Sequence, residues 1–400
     1  MNKKIKVLCL DIEGLHGGSS RSLFNSLKNI STEKADIEVW CKRRGEVQES
    51  YNEIGIAVKI VPDMPKVSSL PRISRNLFVL ALFYFRDWPN SKLFRNKLLR
   101  ESERFDLIHC NHEGLYWLQR WINKYIGLPV SMHIRTTPWP TIFSFFQVKI
   151  ISHYTSGLVF ITENERDNFI RLGGSKLYGK VIYNIVPEVK KLPLPVGRVL
   201  NNNDTFKVCT LANYSYLRGM DQLIDVALVL KELGQEKINF VVAGDLFLSK
   251  SLPGKLGYVA RKGGNLEDYA NEMGVRDMFL FLGHVTNPER VLSGCHALIR
   301  PSREHNPWGR DVLEALSFGL PVIATGTYNR FVEDRVTGFL LKDFDPIQVA
   351  ESIIELSKNK ALVKKMGEQA KKRVKKLCHA SRRSQDLLDF WTNIVYSNPR

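Results

Sequence analysis

One local pattern recurs along this chain and constrains its fold more than any other feature: a short, almost wholly apolar run, then a turn, then an amphipathic stretch. Residues 4–12 read KIKVLCLDI, followed by the glycine-containing turn EGLHGGSSRS and the amphipathic SLFNSLKNI. A strand that is apolar at nearly every position is covered on both faces, as in a parallel sheet. Similar runs stand at 37–41, 56–61, 106–110, 129–133, 157–161 and 180–183, mostly separated by helical stretches. Recurring strand–helix units predict an α/β fold with a doubly wound parallel sheet. The pattern stops over 187–205 (PEVKKLPLPVGRVLNNNDT), where three prolines and an asparagine run have linker composition. It resumes with strands expected at 206–211, 238–243, 278–282, 296–300 and 321–324, and helices at 219–234, 265–273 and 309–318. Residues 347–357, 361–377 and 383–396 read as helices. Two doubly wound domains follow: residues 1–190, a linker 191–205, and residues 206–382. Ligands in such sheets bind at the carboxyl ends of the strands, so a cleft between the domains is the expected site.

Charge narrows the partners. A formal net charge of +17 implies an anionic one: nucleic acid, a phosphorylated small molecule or an anionic membrane. The six cysteines lie far apart, which disfavours a disulfide framework or zinc site and suits a reducing cytosol. The start, MNKKIKVLCLDIEG, is too short in its apolar part for a signal peptide and runs into Asp11 and Glu13, so it reads as a first strand. No apolar run reaches the roughly 18–20 residues needed to span a bilayer.

The segment 279–341 is FLFLGHVTNPERVLSGCHALIRPSREHNPWGRDVLEALSFGLPVIATGTYNRFVEDRVTGFLL. In order it holds Phe281-Leu282-Gly283, Pro301-Ser302, Glu314-Ala315, Gly319-Leu320-Pro321-Val322 and Gly338-Phe339-Leu340. This succession resembles the donor-binding half of family 4 (group 1) retaining glycosyltransferases, enzymes of the GT-B fold with two Rossmann-like domains. Upstream, Leu211 to Ile224 looks like the family's strand–loop–helix, with Arg218-Gly219 in the place of Lys-Gly. Val181-Ile182-Tyr183-Asn184 looks like the stretch closing the first domain. The resemblance implies a nucleotide-diphosphate sugar donor on the second domain and a glycan or lipid-linked acceptor on the first. It also implies that the helical segment 383–400 completes the first domain. Retention follows from the family, with same-face attack and the leaving phosphate taking the acceptor proton. Neither a cofactor nor a metal is expected. The setting implied is cell-surface polysaccharide synthesis in the cytoplasm, at the inner face of the plasma membrane.

Two departures from the family pattern stand out. Asn306 occupies the position of the first acidic residue, and Glu304, two residues earlier, is the candidate replacement carboxylate. Asn306 itself can hydrogen-bond a sugar hydroxyl only as a neutral amide. Asn213 stands where the family has an arginine that contacts phosphate, which leaves donor charge to Arg218, assisted by Arg303 or Arg310.

The residues carry their own reading. Pro307 to Asp311, with Trp308 and Gly309, forms a loop opening a helix whose apolar face includes Val312. Free N–H groups at a helix start suit a diphosphate. Asp311 is a candidate N-cap, and Glu314, read as lying in the first turn, can accept two hydrogen bonds from a ribose diol. By the resemblance, Gly219 beside Arg218 and Gly283 at the end of Phe281-Leu282-Gly283 belong to the donor site. Gly17 and Gly18 form a second glycine loop facing donor phosphates and acceptor by the same resemblance; His16 lies inside it. His109 and His112 close one strand and His133 another. The family often has a histidine at each place, one approaching the transferred sugar, and structural roles are equally open for them. His284 lies near the expected base pocket.

Residues 72–100 carry seven basic residues and one acid, a charge of +6, around the apolar run 77–85; residues 137–147 add Trp139, Phe143, Phe145 and Phe146. These stretches read either as buried helices with a solvated basic face or as an interfacial membrane patch. Three alternatives to the transferase stand beside it. A nucleotide-sugar epimerase shares the fold. A glycosidase would use Glu304 and Glu314 as its carboxyl pair. A basic nucleic-acid-binding protein would use the charge, but the chain carries no recognised nucleic-acid module, and no nucleic acid is expected as a partner.

Overall fold

A computed structural model of the chain describes residues 4–14, 18–67, 77–175, 178–186, 189 and 205–398. Gly17 and His16 lie outside the described residues, as do Arg72, Arg75 and most of the expected linker. The chain divides into two compact units, Met1–Pro187 with Cys378–Arg400, and Glu188–Leu377.

The first unit holds β1 (Ile5–Asp11), β2 (Ala35–Cys41), β3 (Ala57–Ile60), β4 (Leu107–Cys110), β5 (Val130–Ile134), β6 (Gly157–Phe160) and β7 (Gly179–Val181), paired in parallel in the order β3-β2-β1-β4-β5-β6-β7. β1 buries every residue but Lys6. Its alternating side chains feed two cores, as the period of two in a strand requires. Leu8 and Leu10 meet Trp40, Ile108 and Cys110 on one face. Val7 and Cys9 meet Leu107 and Val159 on the other. That second face is covered by the helix Ala380–Ser397, which contributes Leu387, Phe390, Trp391 and Ile394.

The second unit holds β8 (Phe206–Leu211), β9 (Ile238–Ala243), β10 (Phe279–Gly283), β11 (Ala297–Arg300), β12 (Val322–Thr325) and β13 (Gly338–Leu341), parallel in the order β10-β9-β8-β11-β12-β13. In each sheet the strand order reverses beside its first strand, between β1 and β4 and between β8 and β11. The carboxyl ends at that reversal form the crevice where doubly wound sheets bind ligands.

The local differences from the sequence reading have simple causes. The helix expected over 219–234 runs only Gln222–Glu232. Tyr216–Arg218 form a 3-10 turn and Gly219 takes a left-handed φ of 72°, which ends that turn before the helix begins. Helices Gly254–Arg261 and Pro288–Ser293 were not expected; neither is long enough to show a convincing period. The apolar run is helical through Leu82 and then widens into a π-turn, Phe83–Asp87. Phe83 is buried there while Phe85 is 85% exposed. Among the described residues no helix is long and apolar enough to cross a membrane.

The helix Ala380–Ser397 sits very close to the start of β6. A Cβ on Gly157 would lie 2.6 Å from Ile394 Cδ1 and 2.8 Å from Phe390 Cζ. Gly157→Val is therefore expected to cost about 1–3 kcal/mol through overpacking, read as a lower urea midpoint of the full chain with an unchanged slope.

Candidate functional site

In the second unit the site is built where β8 and β11 end. Beyond β8 the chain passes Asn213, which is exposed and whose Oδ1 accepts from the Asp245 N–H at 2.9 Å. It then makes the Tyr216–Arg218 turn. Gly219 is wedged there, since a Cβ would stand 1.8 Å from the Pro301 carbonyl oxygen. This close approach ties the Arg218 turn to the exit of β11. Gly283 ends β10 with φ 64°, and its carbonyl accepts from Gly244 N–H at 2.7 Å.

β11 ends in Arg300, a charged residue closing an otherwise apolar strand. Its side chain is 4% exposed and is held by three groups. Nη1 donates to both Asp311 oxygens, at 2.7 and 2.5 Å. Nε donates to the Asn306 carbonyl at 2.8 Å and Nη2 to Asn306 Oδ1 at 3.0 Å. A buried guanidinium needs such pairing, because desolvation otherwise outweighs its charge. Sequence reading missed Arg300; the available signal was an arginine ending a buried strand, where an unpaired cation is not tolerated.

Those contacts correct several expectations. Asp311 is not the N-cap of the helix Arg310–Phe318: Gly309 occupies that place, and the Asp311 carboxylate turns to Arg300 instead. A Cβ on Gly309 would fall 2.4 Å from Asp311 Oδ1 and 2.8 Å from Arg300 Nη1, so glycine is needed for the approach. The Asn306 amide is occupied on both sides, by Arg300 and through its own Nδ2 donating to Glu304 Oε2 at 3.3 Å. It braces the loop rather than standing open to a sugar hydroxyl. Between them, His305 takes a left-handed φ of 51°, rare for a residue with a Cβ, and sends Glu304 and Asn306 on their courses. Val312 is wholly buried, so of its groups only the main-chain N–H is at the helix start.

The cations are also sorted. Arg303 grips Asp221 with two hydrogen bonds, at 2.9 and 2.5 Å, and lies over the Tyr216 ring at 4.0 Å. Arg310 donates to Glu314 Oε1 at 2.7 Å. Both arginines are thus engaged with carboxylates and are poor candidates to assist with donor charge. Glu314 is the fifth residue of its helix, one turn further in than expected, and is 8% exposed. Arg218 differs: it is exposed and makes no ion pair among the described residues. Its charge reaches the site, since Arg300's pKa is held below the usual arginine value by burial, with Arg218 opposing it as a like charge. Trp308 is half-buried and meets Tyr328 edge-on at 5.3 Å; His284 is exposed. Chemically, an unpaired arginine, the first amides of a nine-residue helix and a carboxylate one turn in can hold an anionic ligand that bears a diol.

In the first unit, Gly18 opens the helix Gly18–Leu27. His112 follows β4, and its Nδ1 accepts from Gly114 N–H at 2.9 Å, capping a short turn. His133, in β5, is 5% exposed and contacts His109. Burial, and then the Arg135 charge, bring His109 down to about 3 and keep His133 well below the ordinary histidine value, so both are neutral. Beside them lies a network that sequence reading missed. Asp11 accepts from Asn111, Asn111 accepts from Arg135, and Glu113 accepts from Arg135 N–H and Thr136. Its members are polar residues at the ends of β1, β4 and β5, legible only once the strand order is known. A cavity of about 440 Å³ opens beyond the ends of β2 and β3, walled by Lys42, Asp63, Met64, Lys66, Phe83 and Arg86. Burial, and then Lys66, depress the Lys42 pKa, and Lys42 Nζ donates to the carbonyls of Pro62 and Met64. Among the described residues no three His, Cys, Asp or Glu side chains converge as a metal site.

Comparison with known proteins gives this geometry its class. Residues 197–373 match the family described as Glycosyl transferases group 1, so that segment carries a group 1 glycosyltransferase domain. N-acetyl-alpha-D-glucosaminyl L-malate synthase of Bacillus anthracis is 30% identical over 124 residues, 30% of this chain. The match spans only 31% of that relative's length. Among solved structures, Anabaena HepE in complex with UDP-glucose superposes with a TM-score of 0.74 at 20% identity, covering 97% of this chain and 100% of that one. Sucrose-phosphate synthase from Thermosynechococcus elongatus gives 0.74 at 14% identity, covering 98% and 100%. At these identities the likeness shows the fold, and that fold is GT-B.

Asp311→Ala would leave the Arg300 guanidinium buried without its carboxylate. The expected cost is about 3–5 kcal/mol. Glu304→Ala removes one long contact and is expected to cost about 1 kcal/mol or less. Urea unfolding of the two variants against the parent chain checks the contrast.

Proposed function

We propose that the protein is a retaining glycosyltransferase that moves a hexosyl group from a nucleotide-diphosphate sugar to a glycan or lipid-linked acceptor, in cell-surface polysaccharide synthesis. The observation that carries this reading is Arg218. Arg300, Arg303 and Arg310 are each engaged with a carboxylate, whereas Arg218, on a turn locked to the exit of β11, makes no ion pair among the described residues. The UDP and UDP-glucose in complexes of Anabaena HepE, and the UDP in a complex of a mutant of S. aureus TarM, support a donor of this chemistry.

In this reading the diphosphate lies against Arg218 and the helix amides, and the ribose diol reaches Glu314, displacing part of its bond to Arg310. As the sugar–phosphate bond breaks, those positive groups stabilise charge developing on the leaving oxygen, which is electrostatic catalysis by fixed dipoles. The acceptor hydroxyl attacks the same face of the sugar, and its proton passes to the leaving phosphate oxygen. His133 offers a neutral N–H from the end of β5, Glu304 is a carboxylate of the loop after β11, and no bound metal is invoked.

The first unit receives the acceptor. The cavity beyond β2 and β3 has Lys42, Lys66 and Arg86 in its wall beside Asp63 and Asp87, with Arg86 Nε 2.8 Å from Asp87 Oδ1, a mixed-charge wall that suits a polar acceptor. The enzyme works in the cytoplasm, with membrane contact made by exposed apolar groups of this unit. Trp139, Ile142, Phe145 and Phe146 are 46–84% exposed around the start of the helix Ile142–Tyr154, and Leu93 is 74% exposed beside Lys92. Not all the basic residues near the apolar run are available for this. Arg95 lies over Trp88 at 4.4 Å and Lys97 over Trp40 at 5.2 Å.

Binding of UDP, GDP and ADP sugars by calorimetry tests the donor. Arg218→Ala is expected to weaken the sugar that binds by about 1.5–3 kcal/mol, and Glu314→Gln to weaken it as well. No binding by any of the three, or binding that neither change affects, would remove the donor site. Cosedimentation with anionic liposomes tests the membrane contact. It is expected to fall with rising salt and with Lys92→Glu plus Arg100→Glu. Equal recovery on neutral vesicles sinks the contact and leaves the transferase reading in place.

A further inference from the structure

β4 and β5 run side by side with His109 opposite Ser131. Because side chains alternate along a strand, His109, Ser131 and His133 share one face. It is the face covered by the helix Ala380–Ser397, and Trp391 of that helix reaches the cluster. The rings of His109 and Trp391 lie 5.1 Å apart, and those of His109 and His133 meet edge-on at 4.9 Å. Four groups thus join in a chain. Trp391 Nε1 lies 3.3 Å from His109 Nδ1, Ser131 Oγ lies 2.8 Å from the same nitrogen, and His109 Nε2 lies 2.8 Å from His133 Nδ1.

The chain has a direction. An indole N–H can only donate, so His109 Nδ1 must present its lone pair. A proton on Nδ1 would set two donors against each other and strand a buried indole N–H. A neutral His109 therefore carries its proton on Nε2 and donates it to His133 Nδ1. That leaves the single proton of neutral His133 on Nε2, a nitrogen that makes no hydrogen bond among the described residues. Burial and the Arg135 charge keep a second proton off either ring.

We propose that Trp391 and His109 are positioning residues, which fix His133 in the tautomer with its proton on Nε2 and so present an N–H donor from the end of β5. Ser131 follows rather than sets this choice, because its hydroxyl can donate or accept and turns to suit the ring. The use of that N–H on a sugar rests on the transferase reading; the tautomer itself does not. The device places control of a strand-end histidine with a residue 282 positions away in sequence from His109.

The test is ¹⁵N NMR of the full chain labelled at histidine, recorded without any ligand, with His109→Gln and His133→Gln to assign the rings. The expected result is a protonated-type Nε2 and an unprotonated-type Nδ1 at both His109 and His133. In Trp391→Phe, which keeps the ring in the core but removes the donor, both rings should move toward averaged shifts. In Ser131→Ala they should stay as in the parent. A proton on Nδ1 of His133 in the parent overturns the proposal. So does an unchanged pattern in Trp391→Phe, or a Ser131→Ala pattern that shifts as much. If Trp391→Phe fails to fold, the parent spectrum and Ser131→Ala still decide. Consumption of a nucleotide sugar is measured separately, so failure of the transferase reading and failure of the relay give different results.

Discussion

A buried positive charge at the end of β11 organises the second unit's ligand-binding end. Arg300 cannot stay where it is without Asp311 and Asn306, and satisfying it fixes three things together. It pins the start of the helix Arg310–Phe318, it spends the amide of Asn306, and it requires a glycine at 309. The loop 301–309 therefore comes to rest with Arg303 and Asn306 engaged internally. What remains outward is the turn bearing Arg218. The site is defined as much by which charges are neutralised as by which are present.

This sorting of charge answers part of what +17 left open. A formal sum treats all cations alike. In the fold, Arg303, Arg310 and Arg300 are each tied to a carboxylate, and Arg95 and Lys97 are laid across tryptophan rings. Paired or stacked arginines build structure. Pairing leaves the net excess as it is, because the acids are already subtracted in the sum, but it decides which cations are open to a ligand.

The strands were legible because buried parallel strands must be apolar throughout, and the alternation of strand and helix left little choice of fold class. The segment 279–341 was legible because its glycines and prolines answer local backbone demands; Gly319, for example, ends its helix with a left-handed φ of 78°. What sequence did not reveal were pairings across strand order. Nothing near Arg300 says that Asp311 will turn away from its cap, since an aspartate near a helix start looks like a cap whatever lies opposite. The short helices Gly254–Arg261 and Pro288–Ser293 carry too few residues to display a period. The Asp11–Asn111–Arg135 network joins residues whose neighbourhood exists only after the sheet is ordered β1-β4-β5. His109 was visible as a strand-end histidine, but Trp391 as its partner was not.

The covering of the first sheet by residues 380–397 also sets an order of events during synthesis. Strands β1 to β7 leave the ribosome early, with one face lined by Val7, Cys9, Leu107 and Val159. The aromatic groups that cover that face, Phe390 and Trp391, are made only after all of residues 205–377. Until then that face of the nascent first unit is covered only in part, by Leu23, Leu27, Val47 and Tyr51, while the whole of the second unit emerges and can fold. Completion of the first unit is thus the late step, and a ribosome stalled between the two would hold a half-covered sheet, a natural client for a chaperone.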